Sequence, residues 1–173
     1  MDKRIEKQIK DTIIHKKYFF DSSLIMFDLL LEEGKDELAI NFIRRASVHD
    51  NSKLLPEEID ALSKIAPLQE DDDGFTNPNY RLNEKQLDLI RIHWKHNRHH
   101  PEFFQNINDM TELDILEMIC DWHSRSVEFG TNLIDFVMSR QENRFHFPDE
   151  MFEYILMMCK KMVDRSFLNN KKI

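Results

Sequence analysis

The sequence predicts an all-α protein, with residues 1–173 forming a single-domain helical bundle of about six or seven helices. Apolar residues recur at helical spacing through most of the chain. Only three glycines and five prolines are present, so turns are few. No segment shows the apolar and polar alternation of a convincing strand. The chain is also long enough to bury a substantial core within one domain.

The first three helices can be placed from their apolar spacing and their end signals. Residues 3–33 carry apolar side chains at helical spacing and predict one long helix. Asp36 is placed to cap a second helix that should end close to His49, and a third begins at Pro56. His49 and Asp50 therefore stand at a junction between helices.

The second half of the chain predicts three more helices after an exposed loop. The loop covers about residues 67–82, where acidic residues, glycine and proline break every periodicity. Asn83 precedes a fourth helix, and Thr111 is placed to cap a long helix that runs to about Ser139. Pro148 marks the start of the last helix.

Composition excludes several classes of protein. The first residues are charged, and no apolar run approaches the ~20 residues of a membrane span, so we expect a cytoplasmic protein without a membrane segment. A net charge of −8 argues against extended nucleic-acid binding, which requires a basic face. Cys120 and Cys159 each lie in an apolar helical stretch and are expected to be reduced core residues.

A histidine cluster is the first candidate for chemistry. The segment "HWKHNRHHPE" contains His93, His96, His99 and His100. Neutral imidazole binds borderline metal ions, and a nearby carboxylate adds charge and can bridge two ions. Alternatively, these histidines are solvated polar residues at the end of a helix.

Two further residues are unusual for their apolar surroundings. His15 lies in "IIHKKYFF" within the first helix, and Asp121 lies in "LEMICDWHS". Burying a carboxylate is costly unless it is compensated, and a metal ion is the strongest compensation. The alternatives are a salt bridge from Asp121 to Arg125 one turn later, and a partly exposed His15 on the helix surface.

The order of these residues resembles the signature of the HD-domain metal-dependent phosphohydrolase superfamily. His15 is followed by the pair His49 and Asp50, then by the histidine cluster and a distant Asp121. The segment "HDNSK", the spacing within the cluster and the "DW" at Asp121 are also similar to a small uncharacterised family of HD-like proteins, often encoded by phages. The resemblance covers most of the chain from His15 to Asp121, and it implies an HD-like helical domain.

The resemblance also implies a ligand set for one or two divalent ions. In the superfamily, one ion is held by residues corresponding to His15, His49, Asp50 and Asp121. Members with a second ion share the aspartate of the pair and use intervening histidines, here His93, His99 and His100. His96 has no counterpart. The element is left open among manganese, iron, zinc, nickel, cobalt and magnesium.

A hydrolytic mechanism implies further roles. Asp50, His93, His99 and Lys53 are the candidate catalytic residues. Lys53 follows the His-Asp pair, as in many HD proteins, and can meet a substrate phosphate. A histidine not bound to metal, His99 or His93, can protonate the leaving oxygen. Further local positive charge is available from three other basic residues: Lys95, Arg98 and Arg44.

This interpretation predicts that the substrate is a small phosphorylated molecule such as a nucleotide. The protein is expected to be a monomer or a homodimer. The glycine motif of the cyclic-dinucleotide branch is absent from the sequence, which argues against that substrate. Three alternatives stay open. The protein could be an HD-fold di-iron oxygenase, a non-catalytic metal-containing protein that binds nucleotides or a partner, or a plain bundle with unrelated histidines.

Overall fold

The computed structural model describes residues 2–70 and 83–170, and these form an all-α bundle. The described residues contain seven α-helices and no strand, which confirms the predicted fold class. The helices are α1 (Lys3–Glu32), α2 (Asp36–Ala46), α3 (Pro56–Glu70), α4 (Glu84–Trp94), α5 (Glu112–Phe129), α6 (Leu133–Arg140) and α7 (Asp149–Asn170).

Helix α1 is the centre of the bundle. It packs most extensively on α5 and also contacts α2, α3 and α7. The Asp2 side chain accepts a hydrogen bond from the Arg4 backbone N–H at 2.8 Å and caps the helix. After Glu32 the chain turns through Gly34, whose φ of +71° suits a residue without a Cβ. Because α1 touches four other helices, its buried face can meet residues from distant parts of the chain.

Helices α4 and α5 begin with capping boxes at the predicted positions. The Asn83 side chain accepts from the Gln86 N–H, and the Gln86 side chain accepts from the Asn83 N–H. Thr111 and Asp114 make the same reciprocal pair at the start of α5. Each box satisfies backbone N–H groups that a helix start would otherwise leave unpaired.

The prediction of one helix from Thr111 to about Ser139 is wrong. Helix α5 ends at Phe129, and Gly130 follows with a φ of +64°, which is the left-handed conformation of a helix C-terminus. Asn132 then caps α6 by accepting from the N–H groups of Ile134 and Asp135. The predicted loop also begins later than expected, because α3 continues to Glu70, and residues 71–82 lie outside the described residues.

The core lies where α1, α2, α5 and α7 meet. Its fully buried large side chains are Phe19, Met26, Leu30, Phe42, Leu116, Met118, Ile119, Ile155, Met158 and Met162. Cys120 and Cys159 are buried free thiols in the same core, as predicted. Burial raises the pKa of the Cys159 thiol to about 12 and that of Cys120 well above its usual value.

Among the described residues, no helix combines the length and the apolar character that crossing a bilayer requires.

Candidate metal centre

His15 lies on the buried face of α1, and its side chain is fully buried. Its Nε2 lies 3.0 Å from Asp121 Oδ1 on α5 and 3.3 Å from Asp50 Oδ2. A partly exposed His15 is therefore ruled out. Asp121 meets His15, whereas Arg125 donates a hydrogen bond to Glu128 at 2.9 Å.

His49 and Asp50 lie in the tight turn that joins α2 to a short 3₁₀ helix, Asn51–Leu54. Asp50 has a φ of 56° and a ψ of 18°, which is the left-handed region that residues other than glycine rarely adopt. The Lys16 ammonium on α1 donates to the His49 carbonyl and, at 2.7 Å, to Asn51 Oδ1. The pair is thus both a helix-ending turn and a part of the buried cluster.

The Asp50 carboxylate stands between two sets of imidazole nitrogens. Oδ2 lies 3.3 Å from the Nε2 atoms of both His15 and His49. Oδ1 lies 3.5 Å from His93 Nε2 and 3.7 Å from His99 Nε2. The whole Asp50 residue is only 1% exposed. This arrangement is suited to a carboxylate that bridges two metal ions.

Each side of Asp50 has a set of potential ligands whose donor atoms lie within 4.8 Å of one another. We call the first set site A, which comprises His15, His49 and Asp121. We call the second set site B, which comprises His93, His99 and His100. In site B, the Nε2 atoms of His93 and His100 are 2.9 Å apart. The structure therefore brings together all seven residues that were predicted as metal ligands.

Several buried atoms of the cluster have no hydrogen-bond partner within the part of the chain that the structure describes. They are both ring nitrogens of His15, His49 Nε2, His99 Nε2 and both carboxylate oxygens of Asp50. Lys53 Nζ lies 2.6 Å from Asp50 Oδ2, at ion-pair distance but outside hydrogen-bond geometry. Buried polar atoms normally have hydrogen-bond partners. Imidazole nitrogens and carboxylate oxygens that converge without such partners fit a bound cation, because each can offer it a lone pair.

Glu117 and Glu58 orient three of the histidines by contacting the ring nitrogen that faces away from Asp50. Glu117 Oε1 lies 2.9 Å from His49 Nδ1 and 3.4 Å from His99 Nδ1. Glu58 Oε2 lies 2.8 Å from His93 Nδ1. When a carboxylate accepts a hydrogen bond from the Nδ1–H of a neutral imidazole, the Nε2 lone pair is available to a metal ion. Nε2 is the atom that faces Asp50 in all three rings.

Glu117 also forms a third group of potential ligands with two of these histidines. The donor atoms of His49, His99 and Glu117 lie within 4.8 Å of one another. The ring atom nearest Glu117 is Nδ1 in both histidines, whereas Nε2 faces Asp50. One imidazole can use Nδ1 for a carboxylate and Nε2 for a metal ion, so we assign Glu117 to orienting the ligands of sites A and B.

Glu117 is itself held by arginine. Arg45 Nε donates to Glu117 Oε2 at 2.5 Å, and Arg45 also donates to Asp114 at 2.5 Å. Arg98 donates to both oxygens of the same Asp114. His49, Glu117 and the two arginines thus form one continuous chain of charged contacts.

The buried charges shift the pKa values of the cluster in opposite directions. Burial opposes ionisation of Asp50 and Asp121, but nearby histidines hold both pKa values well below the usual range. Burial lowers the pKa of His93 and His100. Burial would also lower the pKa of His49, but the surrounding carboxylates outweigh it and raise that pKa to about 9. The same negative field attracts a divalent cation.

The remaining predicted residues differ in their relation to the site. Lys53 borders it, with a side chain that is 12% exposed. Arg98 is engaged with Asp114, while Lys95 and Arg44 are exposed.

His96, which has no counterpart in the HD-domain signature, lies outside sites A and B. Its Nδ1 is hydrogen-bonded to Glu58 Oε1 at 2.7 Å, and its side chain is 37% exposed. Glu58 therefore bridges the two histidines, because its Oε1 contacts His96 and its Oε2 contacts His93.

The sequence did not predict the roles of three residues at the centre: Glu117, Glu58 and Lys16. Glu117 carries the signal that identified Asp121, because it is a carboxylate in the same apolar run one turn earlier. Glu58 follows Pro56 and resembles an ordinary acidic residue at a helix start. Lys16 gives no signal, since a lysine on a long helix is normally exposed.

One family model matches the chain, over residues 4–162, and it is described as a family of unknown function (DUF5662). Neither the comparison with curated proteins nor that with solved structures found a match. The matched range contains every residue of sites A and B. Since the model covers most of the sequence, the chain belongs to this family of unknown function (DUF5662).

Proposed function

We propose that the protein is a metal-dependent phosphohydrolase that acts on a nucleotide or another small phosphoester. The observation that supports this most is the position of Asp50, whose two buried oxygens face site A and site B. Such a shared carboxylate suits one ion in each site. The support for hydrolysis is the resemblance to HD-domain phosphohydrolases, whose residue order is matched by residues that converge in space.

The chemistry that bound divalent ions supply is a water with a pKa near neutrality and stabilisation of charge on phosphoryl oxygens. The residues of the chain have the other roles. Glu117 and Glu58 fix the rings of three histidines, so that their Nε2 atoms point towards Asp50. Preorganised ligands of this kind do not need to reorient during the reaction.

Lys53 is proposed to bind the substrate. Its Nζ lies beside Asp50, and its side chain is only slightly exposed, so its charge is poorly screened by water. A phosphoryl oxygen that approaches the cluster meets this ammonium as a point charge. His93 or His99 is proposed to carry a proton to the leaving oxygen when its ring is not engaged by metal.

The test is turnover by the protein loaded with manganese, iron, zinc, nickel, cobalt or magnesium. A panel of nucleoside mono-, di- and triphosphates and of aryl phosphate mono- and diesters is assayed for phosphate or alcohol release. Hydrolysis should fall by about 100-fold or more in Lys53→Gln. The matched control is Lys64→Gln, which removes an exposed lysine paired with Asp60 on α3.

The identity of the metal separates this proposal from its alternatives. Two bound irons with dioxygen-dependent spectral changes would redirect the assignment to an oxygenase. Nucleotide binding without turnover under every metal would indicate a non-catalytic binding protein. Hydrolysis of a phosphoester that requires added metal and Asp50 would support the proposal.

A further inference from the structure

Helix α1 exposes an apolar stripe on the side away from the core. Ile13, Phe20, Leu24 and Leu31 are 57%, 44%, 44% and 39% exposed, and Phe27 is partly buried beside them. We call these five residues the α1 stripe. The buried residues of the same helix lie on other faces. Contiguous exposed apolar surface of this kind marks interaction sites.

The spacing of the stripe is that of a coiled-coil seam. Residues 13, 17, 20, 24, 27 and 31 alternate between steps of four and three, and Lys17 is the only polar residue among them. The pattern of steps is the same when it is read from either end. A second α1 that packs antiparallel, with a two-fold axis near residue 22, therefore places Ile13 opposite Leu31 and Phe20 opposite Leu24.

The charges of α1 are divided between its two halves. Residues 3–17 contain six basic and two acidic residues, whereas residues 18–33 contain four acidic and no basic residues. This order opposes the helix dipole, which favours acidic residues at the N-terminus and basic residues at the C-terminus. Antiparallel packing places the basic half of each copy beside the acidic half of the other.

The charged residues near the axis are available for such pairing. Lys17 pairs with Asp21 at 3.0 Å, but both side chains are mostly exposed, so this contact contributes little to stability. Asp28 is exposed and lies at the level that the two-fold axis pairs with Lys17. Glu32 and Glu33, by contrast, are already engaged by Arg165 and Lys161 of α7.

We propose that the protein forms an isologous homodimer in which two α1 helices pack antiparallel through the α1 stripe. The apolar seam provides the contact area, and the divided charges fix the antiparallel orientation. Lys17 of each copy lies across the partner's Phe27 and directs its ammonium towards Asp28 of the other copy. The two metal centres then lie in separate subunits, because His15 is on the buried face of α1.

Light scattering coupled to size-exclusion chromatography tests the proposal. The wild-type chain should show twice its mass of 20.9 kDa, with dissociation on dilution. Phe20→Glu should be monomeric, or should weaken dimerisation by at least about tenfold, while circular dichroism shows unchanged helix content. The matched control is Ile40→Glu, because Ile40 is 45% exposed on α2 and lies outside the stripe. This variant should remain dimeric.

A charge exchange tests the orientation. Lys17→Glu should weaken dimerisation because two acidic side chains meet at the same level, and the double variant Lys17→Glu/Asp28→Lys should restore it. A parallel dimer, or a structural role of Lys17 within one chain, predicts no rescue.

A wild-type monomer at every concentration at which the protein stays soluble would overturn the proposal, as would dimerisation that is insensitive to Phe20→Glu. Binding of that monomer to lipid vesicles, lost in Phe20→Glu, would assign the stripe to a membrane surface instead.

Discussion

At the scale of single residues, the backbone conformation of Asp50 places its carboxylate in the candidate metal centre. Its left-handed conformation turns the chain after α2 and directs the carboxylate between site A and site B. Lys16 fixes the turn from α1 by binding the His49 carbonyl. Backbone conformations of this kind are costly and persist where the surroundings determine them, which is common in functional sites.

Glu117 provides a prediction at this scale. Glu117→Gln keeps the shape of the side chain but removes the charge that orients His49 and His99. Metal affinity should fall by about 10- to 100-fold, as competition titration with a chromophoric chelator would measure. The control is Glu37→Gln on the exposed surface of α2. Equal affinity in Glu117→Gln and the wild type would show that this carboxylate does not support the ligands.

The candidate ligands could be predicted from the sequence, whereas most of the residues that orient them could not. His15 and Asp121 were recognisable because a polar group in an apolar helical run requires a partner. Glu58 could not be recognised, because an acidic residue after a helix-initiating proline has a simpler explanation. Its contact with His93 depends on how α3 packs on α4, which one sequence does not specify.

At the scale of elements, four parts of the chain supply the candidate ligands of the centre. Helix α1 supplies His15, the turn after α2 supplies His49 and Asp50, and the end of α4 with the turn beyond it supplies site B. Helix α5 supplies Asp121, and Glu117 of α5 and Glu58 of α3 orient the histidines. Helix α1 packs on α2, α3 and α5, and α3 packs on α4, so these contacts bring segments that are distant in sequence to one place.

The break between α5 and α6 shows where sequence periodicity misleads. Apolar spacing continues from Leu113 to Met138, so the pattern alone predicted one helix. Gly130 and Asn132 provide the stop and the new cap, and their local conformation overrides the pattern. The starts at Asn83 and Thr111 were predictable because a capping box is local in sequence.

Gly130→Ala should destabilise the protein by about 1 kcal/mol. A Cβ at this position meets nothing within 4 Å, so the expected cost comes from the φ of +64° and not from a clash. Chemical denaturation of the metal-free protein measures the change. Thr131→Ala, at the next exposed residue, should be nearly neutral. Wild-type stability in Gly130→Ala would mean that the chain leaves the left-handed conformation at little cost.

At the scale of the whole molecule, a buried cluster of histidines and carboxylates should couple metal binding to folding. Asp50, Asp121 and Glu117 lie in the interior, where negative charge is costly unless cations compensate it. Lys53 contacts Asp50 and Arg45 contacts Glu117, and a bound metal ion would add further compensation. Of the predicted loop at 67–82, residues 71–82 lie outside the described residues, and α3 ends at Glu70. The overall class was predictable because helical periodicity extends through most of the chain, but the packing of the helices was not.

Metal removal should lower the melting temperature. A ligand at 100 times its dissociation constant stabilises the folded state by about 2.7 kcal/mol, which for a chain of this size corresponds to roughly 5–10 °C. Differential scanning calorimetry after treatment with a chelator, and again after metal is restored, measures the shift. A melting temperature that is unchanged by both treatments would mean that the cluster is satisfied without a cation.

Elemental analysis of the purified protein beside Asp50→Asn tests whether the candidate metal centre binds an ion. Asparagine tolerates the left-handed backbone, so this variant removes the charge while keeping the turn, and circular dichroism checks that it folds. Asp60→Asn, at an exposed aspartate of α3, is the matched control. We predict about one to two equivalents of a transition metal in the wild type and in the control, and loss of that metal in Asp50→Asn. A wild-type protein that holds no metal after reconstitution, or an Asp50→Asn variant that holds it fully, would show that the cluster is not a metal site built on Asp50.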